Sequence, residues 1–445
     1  MKKIMGWILI LALCGTWLAA CGATPAPAEP PAAQATQVSE QAAEPTKAPE
    51  PAAQEQVVVL GFTASKTGSQ EVPSTGQSRG LELWLEEVNA TGVELADGTV
   101  VKFEFKTYDD ESNKERVQQL YTKLINDDKT NFLISPYSSG LTDAAAVIAE
   151  QYNQVMVTTG AASDATYQKG YKSVFQLYTP ASRYLTGAVD LLGNLDASVK
   201  KIAFVYENDK FSTDVVNAAK TYAEGKGYEV VLFEGYDSGT ADFAPFINKI
   251  SGMAPDAIMG GGHFADGSTF AKQLYEKQVL AKFIALLVAP PELQFADIGD
   301  AAVGVIGPSQ WEPQAAYSQE AAQAAGLEWY GPSVADFVAA YQAKHGENPA
   351  YHAAGGYGAG LILQKAIETA GSVDPDQVRA ALEGLDVLTF YGHVKFDTSA
   401  ENHGLQTAHE MVYIQWMKDA SGNLVKEVVW PADGKSADAV YPLDR

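Results

Sequence analysis

The chain has 445 residues, 46% of them hydrophobic and 19% charged, which supplies cores for two or three domains and excludes both disorder throughout and a polytopic membrane protein. Its 55 acids against 31 bases give a net charge of −24, which repels phosphate backbones and argues against nucleic acid as a partner. Two cysteines, Cys14 and Cys21, cannot build a disulfide framework or a cysteine-rich zinc site.

The chain opens on Lys2 and Lys3, continues as an almost unbroken apolar run from Ile4 to Leu13, and reaches Leu18-Ala19-Ala20-Cys21. The apolar run is short for a bilayer span and ends in small residues, so residues 1–21 read as a secretory signal. The tetrapeptide resembles the lipobox of bacterial lipoproteins, which implies lipidation of Cys21 and a membrane-anchored protein. Residues 22–56 are Ala, Pro, Gln and Glu with almost no large apolar side chain. Seven prolines between Pro25 and Pro51 prevent a continuous helix, and the segment reads as a disordered tether.

From Val57 the pattern alternates. Val57-Val58-Val59-Leu60 is a short apolar run ended by Gly61, as for a buried parallel strand, and a helical stripe of Leu81, Leu83, Trp84, Leu85 and Val88 follows. Further strands are predicted at 100–108, 132–135, 155–158, 201–206, 228–234, 256–259, 283–288 and 302–306. Helices are predicted between them at 114–126, 142–152, 213–226, 243–250 and 269–277. This alternation predicts an α/β fold of parallel sheets covered by helices, with ligands at the carboxyl ends of strands. The order then breaks: helices at 334–344, 351–370 and 377–385 precede strands at 393–396, 411–416 and 424–429. About 390 residues exceed one sheet core, so two lobes are expected.

Catalytic patterns are missing. The sequence contains no G-x-x-x-x-G-K-S/T, no G-x-S-x-G and no H-E-x-x-H, and its six histidines are scattered. No enzyme activity and no cofactor or metal are implied. Asp109-Asp110 and Asp127-Asp128 read as a strand-end turn and an exposed helix end more readily than as cation sites.

Five stretches stand in order: Gly61–Gly68; Gly80 with Glu87-Val88-Asn89; Tyr108–Ser112; Ile134-Ser135-Pro136-Tyr137-Ser138-Ser139-Gly140; and Val157–Ser163. Their order and spacing resemble the type I periplasmic binding proteins of the leucine/isoleucine/valine class, over roughly residues 57–430. The resemblance implies a two-lobe fold with a ligand cleft between lobes that close on the solute. It also implies the substrate-binding role of an ABC importer, a permease and its ATPase subunits as partners, and a monomer on the extracytoplasmic face of the membrane. Lobes of 57–178 plus 309–390 and of 179–308 plus 391–445 are expected. A ligand-sensing module is the alternative on the same fold.

The residues carry part of this reading themselves. Ser138-Ser139-Gly140 follows a strand and opens a helix, and Thr158–Ser163 repeats the arrangement, so hydroxyls and free N–H groups favour a carboxylate there. Taken alone, both turns read more readily as ordinary helix caps. In the resemblance, Ser138, Ser139, Gly160, Ala161, Ala162 and Ser163 form the carboxylate side. Phe211 and His263 fall at aromatic pocket positions of the second lobe. The family's ammonium-binding acids fall near Ser182 and Leu287, neither of them acidic, so Glu312 or Asp266 is expected to supply that charge if the solute is an amino acid. The same departure admits an amide, a urea-like compound or an aromatic carboxylate. Trp311 and Tyr357 are candidate cleft walls, though each serves equally well as packing.

Overall fold

The computed structural model describes residues 54–443, so the signal, Cys21 and nearly all of the tether lie outside the described residues. The body begins at β1 (Glu55–Ala64), a strand that turns fully buried from Leu60 onward. The strands β2 (Val93–Glu94), β3 (Val100–Asp109), β4 (Phe132–Ile134), β5 (Met156–Thr158) and β6 (Val174–Gln176) complete a first sheet, in the order β2-β3-β1-β4-β5-β6. All its pairings are parallel except β2 with β3. A second sheet takes β7 (Lys201–Glu207), β8 (Glu229–Tyr236), β9 (Ala257–Gly261), β10 (Phe283–Leu286) and β11 (Val305–Ser309). A small third sheet follows, of β12 (Glu328–Trp329), β13 (Asp386–Thr389) and β14 (Gly392–Lys395). The chain then returns to the second sheet as β15 (Val412–Lys418) and β16 (Leu424–Trp430), both antiparallel, giving the order β16-β15-β11-β10-β9-β7-β8.

The short central strands are apolar because helices cover both faces: Phe132, Leu133 and Ile134 are each fully buried, as are Ile258, Met259, Ile284 and Ala285. The helices Glu71–Thr91 and Tyr351–Ala370 pack closely. Their approach explains two glycines of the stretch 355–360. A Cβ on Gly356 would overlap the Gln77 carbonyl, and one on Gly360 would overlap the Trp84 ring. Trp84 is buried there and donates from Nε1 to Gln364 Oε1 at 3.0 Å.

One sequence expectation shifts for an identifiable reason. The strand read at 302–306 begins at Val305, because Leu293–Ala302 winds into tight helical turns broken at Gly299. The three-residue β6 and the helix Thr186–Leu195 were not anticipated, the first being too short to show a period. Asp110 serves a turn, as read: it is buried and accepts hydrogen bonds from Thr63 Oγ1 at 2.7 Å, Ser65 Oγ at 2.5 Å and Ser112 N at 3.0 Å.

Candidate functional site

The carboxyl ends of β4 and β5 deliver the two turns singled out in the sequence. Ser138 is the N-cap of the helix Ser139–Gln151, whose first N–H groups point out of the helix end. Ser139 Oγ accepts from the backbone N–H of Ala162 at 3.0 Å and of Ser163 at 3.2 Å. With both acceptor positions occupied, that hydroxyl has only its proton left to offer, so it is a fixed donor. Gly160 sits at φ 67°, and a Cβ there would strike Tyr137 and Gln77.

These turns border a narrow cavity of about 10 Å³, room for about one water molecule. Its first-sheet side carries Tyr137, Ser138, Ser139, Gly160, Ala162 and Tyr178, and its second-sheet side Tyr184, Phe211, His263 and Val288. Tyr351 and His352, at the start of the long helix Tyr351–Ala370, close the remaining side. The walls interlock edge to face: Tyr184 lies 5.0 Å from Phe211, and Tyr137 lies 4.9 Å from His352. Burial pushes the phenols of Tyr137, Tyr178 and Tyr351 well above their ordinary range, so all three stay neutral donors.

His263 is the charged member of this lining. Burial disfavours its cationic form, but Asp209 first, then Glu207 and Asp266, outweigh that and hold its pKa at about 9. Its Nε2 donates to Asp209 Oδ2 at 3.0 Å and its Nδ1 meets the Tyr137 hydroxyl at 2.7 Å. His352 Nδ1 is bonded to Glu292, and both side chains are buried. Tyr178 Oη and His352 Nε2 are buried without hydrogen-bond partners. A polar solute would relieve them, since an unpaired buried polar group costs about 1–3 kcal/mol. Among the residues lining the cavity there is no carboxylate.

Five expected positions lie elsewhere. Trp311 is fully buried behind the cleft, donating from Nε1 to Phe390 O at 2.9 Å and packed edge-on against Phe337 and Phe390. Tyr357 packs on the same two phenylalanines and donates to Glu87 Oε2 at 2.5 Å. Glu312 is buried in an ion pair with Lys426 at 2.9 Å, so it is not free to receive an ammonium. Ser163 donates its hydroxyl to Asp214, and Ala161 is buried beside the turn without reaching the cavity. Ala162 does border the cavity, but its N–H is spent on Ser139. Of the two non-acidic positions, Ser182 is exposed and bonded to Asp164, while Leu287 is buried next to Val288. Asp266 stands behind His263, accepting from its backbone N–H at 2.8 Å, and burial followed by the Glu207 charge pushes its pKa up to about 6.

Sequence reasoning missed Tyr137, Tyr178, Tyr184, Val288, Tyr351 and His352 as lining. Tyr137 lay inside a quoted motif, and Tyr184 and Val288 lie within two residues of the positions examined for acids. Tyr351 and His352 carried one usable signal, two rings at a helix start following Pro349.

A family model described as periplasmic binding protein matches residues 57–422. The chain is 26% identical over 354 residues to the leucine-, isoleucine-, valine-, threonine- and alanine-binding protein of Pseudomonas aeruginosa, covering 79% of this chain and 87% of that one. Among solved structures, the leucine-binding protein LivK of Thermotoga maritima superposes with a TM-score of 0.70 at 22% identity, covering 84% of this chain and 99% of the other. A solute-binding protein of an ABC transporter from R. palustris, crystallised with benzoate, gives 0.69 at 19% identity, covering 86% and 98%. The fold is that of the type I periplasmic binding proteins, and the chain belongs to the periplasmic binding protein family.

Proposed function

We propose that this protein is the extracytoplasmic solute-binding component of an ABC importer and that its solute is a small aromatic carboxylate. One observation carries the choice of solute. The cavity opposes a carboxylate-favouring turn, Ser139 at a helix N-terminus, with tyrosine, phenylalanine and histidine rings, and no acid lines it to pair an ammonium. An α-amino acid would bury its ammonium without a counter-charge, which is costly. Glu312 and Asp266, the acids expected to supply one, are occupied by Lys426 and by the His263 cap. The benzoate held by the R. palustris protein of the same fold supports this reading; the names of the curated relatives favour aliphatic amino acids instead.

The carboxylate is received by Ser139 and the helix N-terminus, and the ring enters between Tyr178, Tyr351 and Phe211 only as these walls part, since the cavity of about 10 Å³ is too small for it in the present arrangement. The lobes are taken as 57–178 plus 309–390 and 179–308 plus 391–445, with the β13–β14 hairpin spanning the second boundary. Closure brings His263 onto Tyr137, and the closed form docks on the permease. Lipidated Cys21 and the tether hold the monomeric protein to the membrane, and no catalysis is involved. A sensor that reports the same solute to a receptor is the second reading of this fold.

Thermal unfolding with benzoate, 4-hydroxybenzoate, phenylacetate, leucine, isoleucine and small amides tests the solute. A solute at a hundred times its dissociation constant stabilises by about 2.7 kcal/mol. Stabilisation by aromatic acids alone is the expected result. Stabilisation by leucine or isoleucine alone would overturn the aromatic assignment.

A further inference from the structure

Behind the cavity, the carboxyl ends of the adjacent parallel strands β7 and β9 carry a second group of polar side chains. Glu207 ends β7, and Asp209 caps the next helix through Oδ1, which accepts from Ser212 N at 2.7 Å. His263 follows β9. One donor atom from each of Glu207, Asp209 and His263 lies within 4.8 Å of the others. Glu207 is only 6% exposed, and its Oε2 has no hydrogen-bond partner. That oxygen and Asp266 Oδ2 both border the spot where a Cβ on Gly262 would sit, so two carboxylates converge beside His263. Three acids thus surround one imidazole in a buried place, and an unpaired carboxylate oxygen there calls for a positive partner.

We infer that Glu207, Asp209 and His263 bind a first-row divalent cation on the side of His263 turned away from the solute cavity. One imidazole with two carboxylates suits Zn²⁺ or Mn²⁺, whose donors stand about 2.0–2.2 Å from the metal in zinc sites. The geometry divides the His263 ring between two tasks. Nε2 faces Asp209 and takes the ion, while Nδ1 faces Tyr137 across the cavity and donates to its hydroxyl, the outer bond that orients a ligating imidazole. The free Oε2 of Glu207 becomes a ligand, and Asp266 stays beside the site as its acceptor for the His263 backbone. This site is independent of the solute assigned above, and its test uses no solute.

Tag-free protein is stripped with chelator, exchanged into metal-free buffer and titrated with ZnCl₂ by calorimetry, with MnCl₂ as a second titrant. One ion per chain is expected, and Glu207→Gln and Asp209→Asn should each weaken binding at least tenfold. Asn retains helix-capping capacity at 209, and thermal melting of each variant checks folding. X-ray absorption of the zinc-loaded wild type gives a reading that does not depend on the variants, with one imidazole among oxygen donors expected. Absence of saturable binding, binding unchanged in both folded variants, or a donor shell without imidazole would each overturn the site.

Discussion

On the first-sheet side of the cavity, Ser139 is held by two backbone N–H groups and carries no charge; on the second-sheet side, His263 is a cation held among Asp209, Glu207 and Asp266. The neutral side obtains its anion preference from backbone geometry, which is already paid in folding and varies little with pH. The charged side obtains its order from opposed charges in a buried place, so it responds to protons, to cations and to loss of any one partner. Two sides of one cavity therefore differ in what disturbs them, and substitutions separate the two.

The largest effect is expected away from both sides, at the ion pair of Glu312, the acid the sequence suggested as a solute contact. Lys426 pairs with Glu312 at 2.9 Å and also donates to Pro291 O at 2.7 Å. Replacing Lys426 by Met leaves the Glu312 carboxylate buried and unpaired, which destabilises by about 3–5 kcal/mol. Urea unfolding measures the loss, and adding Glu312→Gln should restore most of it. If Lys426→Met alone is neutral, the pair is not structural and Glu312 returns as a candidate for binding an ammonium.

Next is the response to pH. The folded pKa of His263, about 9, lies above its ordinary 6.5, so folding favours the charged form. That contribution is complete below about pH 6.5 and is lost as pH rises through 9, a swing on the order of 3 kcal/mol. Asp266, raised to about 6, lowers stability in the same direction but in a separate window, between its ordinary 3.8 and 6. In chelator, stability should fall from pH 6.5 to 9, and His263→Gln should flatten the fall. A stability that holds level or climbs over that range in the wild type would mean the His263–Asp209 pair is not ionised.

The neutral side predicts a smaller change of a different kind. Ser139→Ala removes the fixed donor and orphans the N–H groups of Ala162 and Ser163. A hydrogen bond to a charged group contributes about 1.5–3 kcal/mol, so affinity for an aromatic carboxylate should fall roughly 10–100-fold with no pH dependence between 6.5 and 9. Calorimetry at both pH values checks this. A pH-dependent loss would place the carboxylate against His263 instead.

The same contrast explains what was legible in the sequence. Ser138-Ser139 and the 158–163 turn were readable because strand, turn and helix are local and their donors follow from chain order. The helices Lys114–Asn126 and Tyr351–Ala370 matched to the residue for the same reason, their apolar stripes and breakers being local. The aromatic lining was not, because Tyr137, Tyr178 and Tyr351 come from segments far apart in the chain and meet only through the topology. Phe211 and His263 were found through the family resemblance, since neither has a distinguishing local pattern. The charge network around His263 was invisible because its members are single acids, each ordinary alone. Tyr357 was expected as a cleft wall, whereas the neighbouring Gly356 and Gly360 admit the close approach of one helix to another.

Trp311 gives the smallest predicted effect on binding and the cleanest separation of wall from support. Its ring is fully buried against Phe337 and Phe390, and its N–H is used by the Phe390 carbonyl. Trp311→Phe removes that hydrogen bond and part of the packing, so stability should drop by about 1–3 kcal/mol. Solute affinity should stay within about twofold, because no solute-facing atom changes and a tenfold change would require 1.4 kcal/mol of differential interaction. Unfolding and binding measured on the same preparation distinguish the two readouts. A loss of affinity larger than the loss of stability would mean that Trp311 reaches the solute in a state of the cleft other than this one, and the aromatic wall would then extend across the crossover segment that follows β11.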